Sequence, residues 1–193
     1  MIVLLFALML LLSLPQGVFA QKFSLPDLVR QTMQIYFEGP GLNKATMKSL
    51  LNEKVPREYN RSAGVFVTLS KDGSTRGCWG SIQPSYPTIA QSTVFATLGA
   101  LKKDYRCKPI RASEWKTLKP QVTVIEQLQP ISSIAGQNAM RDGLMLRAGG
   151  KSAILLPGEV SDAYYQLVKC KLKAGVNRGE PYQLYKVKAA VYE

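Results

Sequence analysis

Apolar positions along this 193-residue chain fall into two periods, one helical and one alternating. Ser24 stands before Leu25, Leu28, Val29, Thr32 and Tyr36, with Pro26 in the first turn. That spacing predicts a capped helix stopped by Gly39-Pro40-Gly41. A short helix is expected near 45–51, closed by Pro56. Residues 88–103 repeat Ala90, Val94, Thr97, Leu98 and Leu101, a stripe that should face a core. Ser161-Asp162 opens a last helix through Tyr165, Val168 and Leu172 to Ala174, with Gly175 as its stop.

The alternating stretches predict strands. Residues 65–69 and 75–81 flank Lys71-Asp72-Gly73-Ser74, a hairpin signal. Residues 121–128 form a third strand, which Pro130 should end. Residues 144–147 and 152–156 flank Gly149-Gly150 as a second hairpin. Gln183, Tyr185, Val187, Ala189 and Val191 mark a terminal strand. Strands outnumber helices and come mostly as hairpins. The fold class is therefore α+β, with a mostly antiparallel sheet and flanking helices.

The first hairpin carries the chemistry. Strict alternation puts Arg76, Cys78, Gly80 and Ile82 on one face and Thr75, Gly77, Trp79 and Ser81 on the other. A guanidinium then stands beside a thiol. Two glycines in a strand interior, Gly77 and Gly80, imply that another backbone or a ligand comes close.

Composition narrows the options. Net charge is +12 with a pI near 9.7, which favours anionic partners. There is no histidine, so Ser-His-Asp and Cys-His machinery, a His base and imidazole zinc sites are all excluded. The three cysteines, Cys78, Cys107 and Cys170, are too widely spaced for a structural zinc site, and no metal is expected. No cofactor is named by any motif.

Residues 1–20 are apolar and uncharged, with Val18-Phe19-Ala20 before Gln21. This reads as a signal peptide, leaving residues 21–193 as the exported domain; the alternative is an uncleaved membrane anchor. Export makes a disulfide such as Cys107 with Cys170 conceivable, leaving Cys78 free.

Arg76-Gly77-Cys78-Trp79-Gly80-Ser81 resembles the Arg-Gly-Cys-Ile-Gly motif of the AMMECR-type domain family. Further matches follow in order: Asp104 and Arg106, Val122-Thr123-Val124, Asp142-Gly143-Leu144, Gly150 with Leu155-Leu156-Pro157, Lys173-Ala174-Gly175, and Leu184-Tyr185. The resemblance implies a two-lobed domain with the Arg-Gly-Cys motif near the cleft between lobes. It also implies association with a Memo-like or a radical-SAM protein, the AmmeMemoRadiSam grouping. It supplies no reaction. The chain departs from the pattern at Trp79, at Tyr105 and Cys107 in the loop usually read Asp-Pro-Arg-Phe, at Pro157-Gly158-Glu159-Val160, and in its leader.

Three functional readings follow. In the first, Cys78 is a nucleophile or redox thiol for modification of a small molecule or protein. Arg76 then favours the thiolate, and Asp104, Arg106 and Asp142 lie nearby. Otherwise Cys78 is a small packing residue. In the second, Arg76, Arg106 and Arg141 hold an anionic ligand, with Gly77, Gly80, Asp104 and Asp142 around it. Against that, Arg106 and Arg141 could simply pair with Asp104 and Asp142. In the third, Trp79, Tyr86 and Trp115 anchor a partner protein, or are packing residues. Nucleic acid is disfavoured, because no recognised motif is present. A membrane is expected only if the N-terminal segment stays attached.

Overall fold

The computed structural model describes residues 23–52 and 55–193. In chain order these form α1 (Leu25–Glu38), α2 (Lys44–Leu50), β1 (Val65–Lys71), β2 (Ser74–Ser81), α3 (Ile89–Lys102), β3 (Lys119–Ile131), β4 (Gly143–Ala148), β5 (Lys151–Leu155), α4 (Ala163–Ala174) and β6 (Gln183–Tyr192). Short 3-10 turns lie at Arg57–Asn60 and Trp115–Thr117. The expected leader and its cleavage point lie outside the described residues. Among the described residues, no helix is long and apolar enough to cross a membrane.

Local chemistry starts each helix. The Ser24 hydroxyl and the Asp27 carboxylate form a reciprocal capping box at α1. Asp162 accepts the Tyr165 N–H at α4, and Gly175 closes that helix at φ 65°, a left-handed conformation that suits glycine.

The six strands make one antiparallel sheet in the order β2-β1-β3-β6-β4-β5. The α+β class expected from the sequence is the observed one. On one face, Val65, Val67 and Leu69 of β1 and Val122 and Val124 of β3 join α1 and α3 in a first core. Leu144, Leu146, Leu155 and Leu184 join Cys170 of α4 in a second. Each fully buried aliphatic side chain contributes about 1.5–3 kcal/mol.

The opposite face is concave. Phe66 of β1 and Ile154 of β5 pack on one cluster with Ile125, Met145, Leu156 and Val187. In a flat sheet, β1 and β5 would stand four strand spacings apart, about 19 Å. Cys78 and Gly80 of β2 and Ile154 of β5 nonetheless line one cleft, so the sheet is curled.

Two expectations need correction. Pro130 does not end β3, which runs on to Ile131. Beyond Val124, β3 pairs with β6 but no longer with β1, so the missing N–H of Pro130 falls on an open side. Nor does α3 show a single stripe. It is buried on nearly every side, with Ser92, Thr93, Ala96, Gly99 and Ala100 enclosed as well as Ala90, Val94, Thr97 and Leu101. It lies between α1 and the sheet, where only small residues allow so close a contact.

Gly77 of β2 makes one of these close contacts, against the backbone of α3. A Cβ there would meet the carbonyl oxygen of Ala100 in α3. That neighbour is backbone and cannot swing aside. We predict that Gly77→Ala costs about 3 kcal/mol or more in urea unfolding. Gly150→Ala, which faces open space, should stay within about 0.5 kcal/mol.

Candidate functional site

The β1–β2 hairpin is not regular. Leu69 pairs with Gly77 but Ser70 pairs with Thr75, so Arg76 has no partner on β1. Arg76 is the extra residue of a β-bulge. The bulge resets alternation. Gly77 and Trp79 turn toward α3, whereas Cys78 lies opposite Thr68 and Gly80 opposite Phe66 on the concave face.

Arg76 therefore does not stand beside the thiol as alternation predicts. Its Nε and Nη2 donate to the Glu114 carboxylate at 3.1 and 2.7 Å, and Nη1 donates to the Lys108 carbonyl at 2.7 Å. It fastens the loop after α3 to the edge of the sheet. Its hydrogen bonds and charge hold Glu114 below the usual carboxylate range, helped by the Arg111 N–H.

Cys78 lines a cleft of about 760 Å³ in the concave face. Phe66, Thr68 and Gly80 share its wall with Cys78. Across it stand Ile154, Leu156, Glu159 and Lys173, from β5, the loop after it and the end of α4. Asp104, Tyr105 and Arg106 close one end. The Lys173 ammonium donates to the Ile154 carbonyl at 2.8 Å, and Glu159 accepts the Leu156 N–H at 3.2 Å.

Asp104 is the buried polar centre of this site, only 7% exposed. It accepts the Cys78 N–H at 2.9 Å and both Nε and Nη2 of Arg106 at 2.8 Å. The Arg106 hydrogen bond brings its pKa down to about 2, against the opposing effect of burial. The same contact raises Arg106.

The thiol itself is pushed up. Burial is the main cause; the Thr68 hydroxyl, 3.3 Å from Sγ, and the Arg106 charge oppose it, while the Glu159 and Asp104 charges add to it. Cys78 is thus a neutral thiol at physiological pH, not the activated thiolate that an adjacent Arg76 would produce. All three cysteines are free, so the Cys107–Cys170 disulfide is not formed. Cys170 is buried in the second core and directs its thiol at the Leu144 carbonyl.

The other expected residues divide. Asp104, Arg106 and Gly80 meet at the cleft with Cys78. Gly77 is turned away and fitted against α3, so its missing side chain answers a backbone, not a ligand. Arg141 is exposed and lies outside the cleft lining, as does Asp142. Asp142 pairs with Lys186 and Lys188, not with Arg141. Trp79 packs its ring against Gly99 of α3, is 38% exposed, and contributes to the cleft lining. Trp115 stacks on Phe37 and Tyr86 on Phe95, both as packing contacts. Sequence reasoning missed Thr68, Glu159 and Lys173. Only the bulged register brings Thr68 opposite Cys78, and the other two arrive through the curl.

The folded pKa of Asp104 lies below its unfolded value near 3.8. Its stabilisation is therefore fully present above about pH 4 and is lost as pH falls through 2. With half of Arg106 in solvent, we predict a contribution of about 1–2 kcal/mol. Asp104→Asn should lower stability at pH 7 by at least that much. The gap to wild type should narrow from pH 4 downward and close only below about pH 2 in urea melts.

The AMMECR1 family model matches residues 27–193. A protein of Thermotoga maritima is 33% identical over 129 residues, covering 65% of this chain and 74% of that one. One of Methanothermobacter thermautotrophicus is 30% identical over 136 residues, covering 65% and 70%. The crystal structure of the uncharacterized protein PH0010 from Pyrococcus horikoshii superposes with a TM-score of 0.74 at 26% identity, covering 86% of this chain and 88% of that one. With the ordered motifs, the curled sheet and a family match over nearly all described residues, this chain belongs to the AMMECR1 family.

Proposed function

We propose that the domain binds a small anionic ligand in the cleft, with Cys78 as a neutral lining group and not a nucleophile. One observation carries this reading: among the described residues the concave face is left unfilled beside Cys78, and two cations reach that space alongside the carboxylates of Asp104, Glu159 and Glu193. Arg106 uses Nε and Nη2 on Asp104, and Nη1 has no partner among the described residues. Lys173 spends one of its three N–H groups on Ile154. A carboxylate or phosphate can take the remaining donors, while Phe66, Ile154 and Leu156 receive an apolar portion.

Thiol-based modification fits less well, because it draws on a thiolate that burial disfavours. The second reading is a partner protein, in keeping with the family association with Memo-like and radical-SAM proteins. What favours it is the rim: Tyr105 and Met140, 92% and 57% exposed, stand at the mouth as ready contacts.

The test is a set of small carboxylates and phosphates screened by amide chemical shifts. Binders should move Phe66, Thr68 and Cys78 together. Lys173→Met should weaken them about tenfold or more, as expected for one charge-assisted bond. Cys78→Ser should keep affinity within about threefold, since a thiol is a weak donor. Shifts confined to Tyr105 and Met140, seen only with protein partners, would favour the second reading.

A further inference from the structure

Among the described residues, the outer face of α4 has no partner. Gln166 and Cys170 are fully buried on its inner side. Opposite them, Tyr165, Val168 and Leu172 follow at i, i+3 and i+7 and share one stripe. Tyr165 is 50% and Leu172 75% exposed, and Tyr164 beside them is 69% exposed. Lysines border the stripe, with Lys169 on one side and Lys171 on the other, while Lys173 is turned to the cleft. The helix sequence AYYQLVKCKLKA contains no acidic residue. Lys169 Nζ lies 5.0 Å from the Tyr165 ring centre, and Lys171 Nζ lies 4.3 Å from that of Tyr182.

We infer that this face of α4 is a peripheral docking surface for an anionic lipid bilayer. Charge complementarity selects the occupant: two cations beside the stripe, Lys169 and Lys171, and no carboxylate within the helix, on a chain of net charge +12. The residue types separate a bilayer from a protein. Lysine is depleted at protein interfaces. Here lysines flank an exposed leucine set among tyrosines, as at a membrane interface, where the rings sit at headgroup depth and the ammonium groups reach for phosphates. The helix is about 18 Å long, and its inner side is held on β4 and β5, so it lies flat and does not insert. This surface belongs to the folded domain, and Tyr165, Lys169, Lys171 and Leu172 lie outside the cleft lining.

The full chain is mixed with vesicles of phosphatidylcholine alone or of phosphatidylcholine with phosphatidylglycerol. Lysines are then acetylated with a water-soluble reagent and located by mass spectrometry. Phosphatidylglycerol should slow modification of Lys169 and Lys171 about fivefold or more, while Lys44 and Lys48 on α2 are unchanged. Leu172→Asp, at an exposed position that leaves the fold intact, should abolish that protection. Equal protection of the α2 lysines would mean unoriented adsorption. Protection by phosphatidylcholine alone would remove the anionic requirement. Co-sedimentation without protection of Lys169 and Lys171 would put the contact elsewhere, including on the N-terminal segment. Any of these three results overturns the inference.

Discussion

The extra residue at Arg76 sets the face taken by every later side chain of β2, and both the first core and the cleft depend on it. Without the bulge, Cys78 would lie opposite Val67 and point into α3. With it, Gly77 takes the helix-facing place, where a Cβ would strike the Ala100 carbonyl, and Cys78 turns to the concave side. The hydrogen bonds from Arg76 to Glu114 and to the Lys108 and Pro109 carbonyls hold that geometry from outside the sheet. The glycine and the arginine of this motif are thus explained first by packing. Its cysteine is the member left facing open space.

The curl then gives the site its second wall. It brings the two edge strands, β2 and β5, toward each other across the cleft. Exposed strand edges invite unwanted pairing, and here charged side chains occupy them. Asp104 takes the Cys78 N–H on β2, Lys173 takes the Ile154 carbonyl on β5, and Glu159 takes the Leu156 N–H just past it. Of these edge groups, Lys173 is also a donor available to an anionic ligand. A ligand that draws on Lys173 would therefore act on the β5 edge as well.

The sequence made most elements legible because their signals are local. Ser24 with Asp27, Asp162, Gly175 and the alternating strands each act within a few residues, and the ordered motifs were enough to reach the family. What stayed hidden depends on a count or on distance. Alternation read forward from the turn and backward from Gly80 disagrees by one residue, and nothing local reveals the bulge that absorbs it. Arg76 was thereby assigned to the thiol instead of to Glu114, a residue 38 positions away. Lys173 and Glu159 reach the cleft only because the sheet curls, and Asp142 found its cations on β6 instead of in the adjacent Arg141. The enclosure of α3 was likewise invisible, since a helix covered on both sides and one with a single stripe can share the same apolar positions.

The register of the hairpin is the central claim, and proton contacts across the strands test it most directly. The Cys78 N–H goes outward to Asp104, so Cys78 and Thr68 form a non-hydrogen-bonded pair with their Cα atoms about 4.5 Å apart. The account predicts a strong Hα–Hα nuclear Overhauser effect between Thr68 and Cys78. A strong effect between Thr68 and the Gly77 Hα protons in its place would mean a regular hairpin with no bulge. The thiol would then face α3, and the cleft would lose the residue around which it is argued.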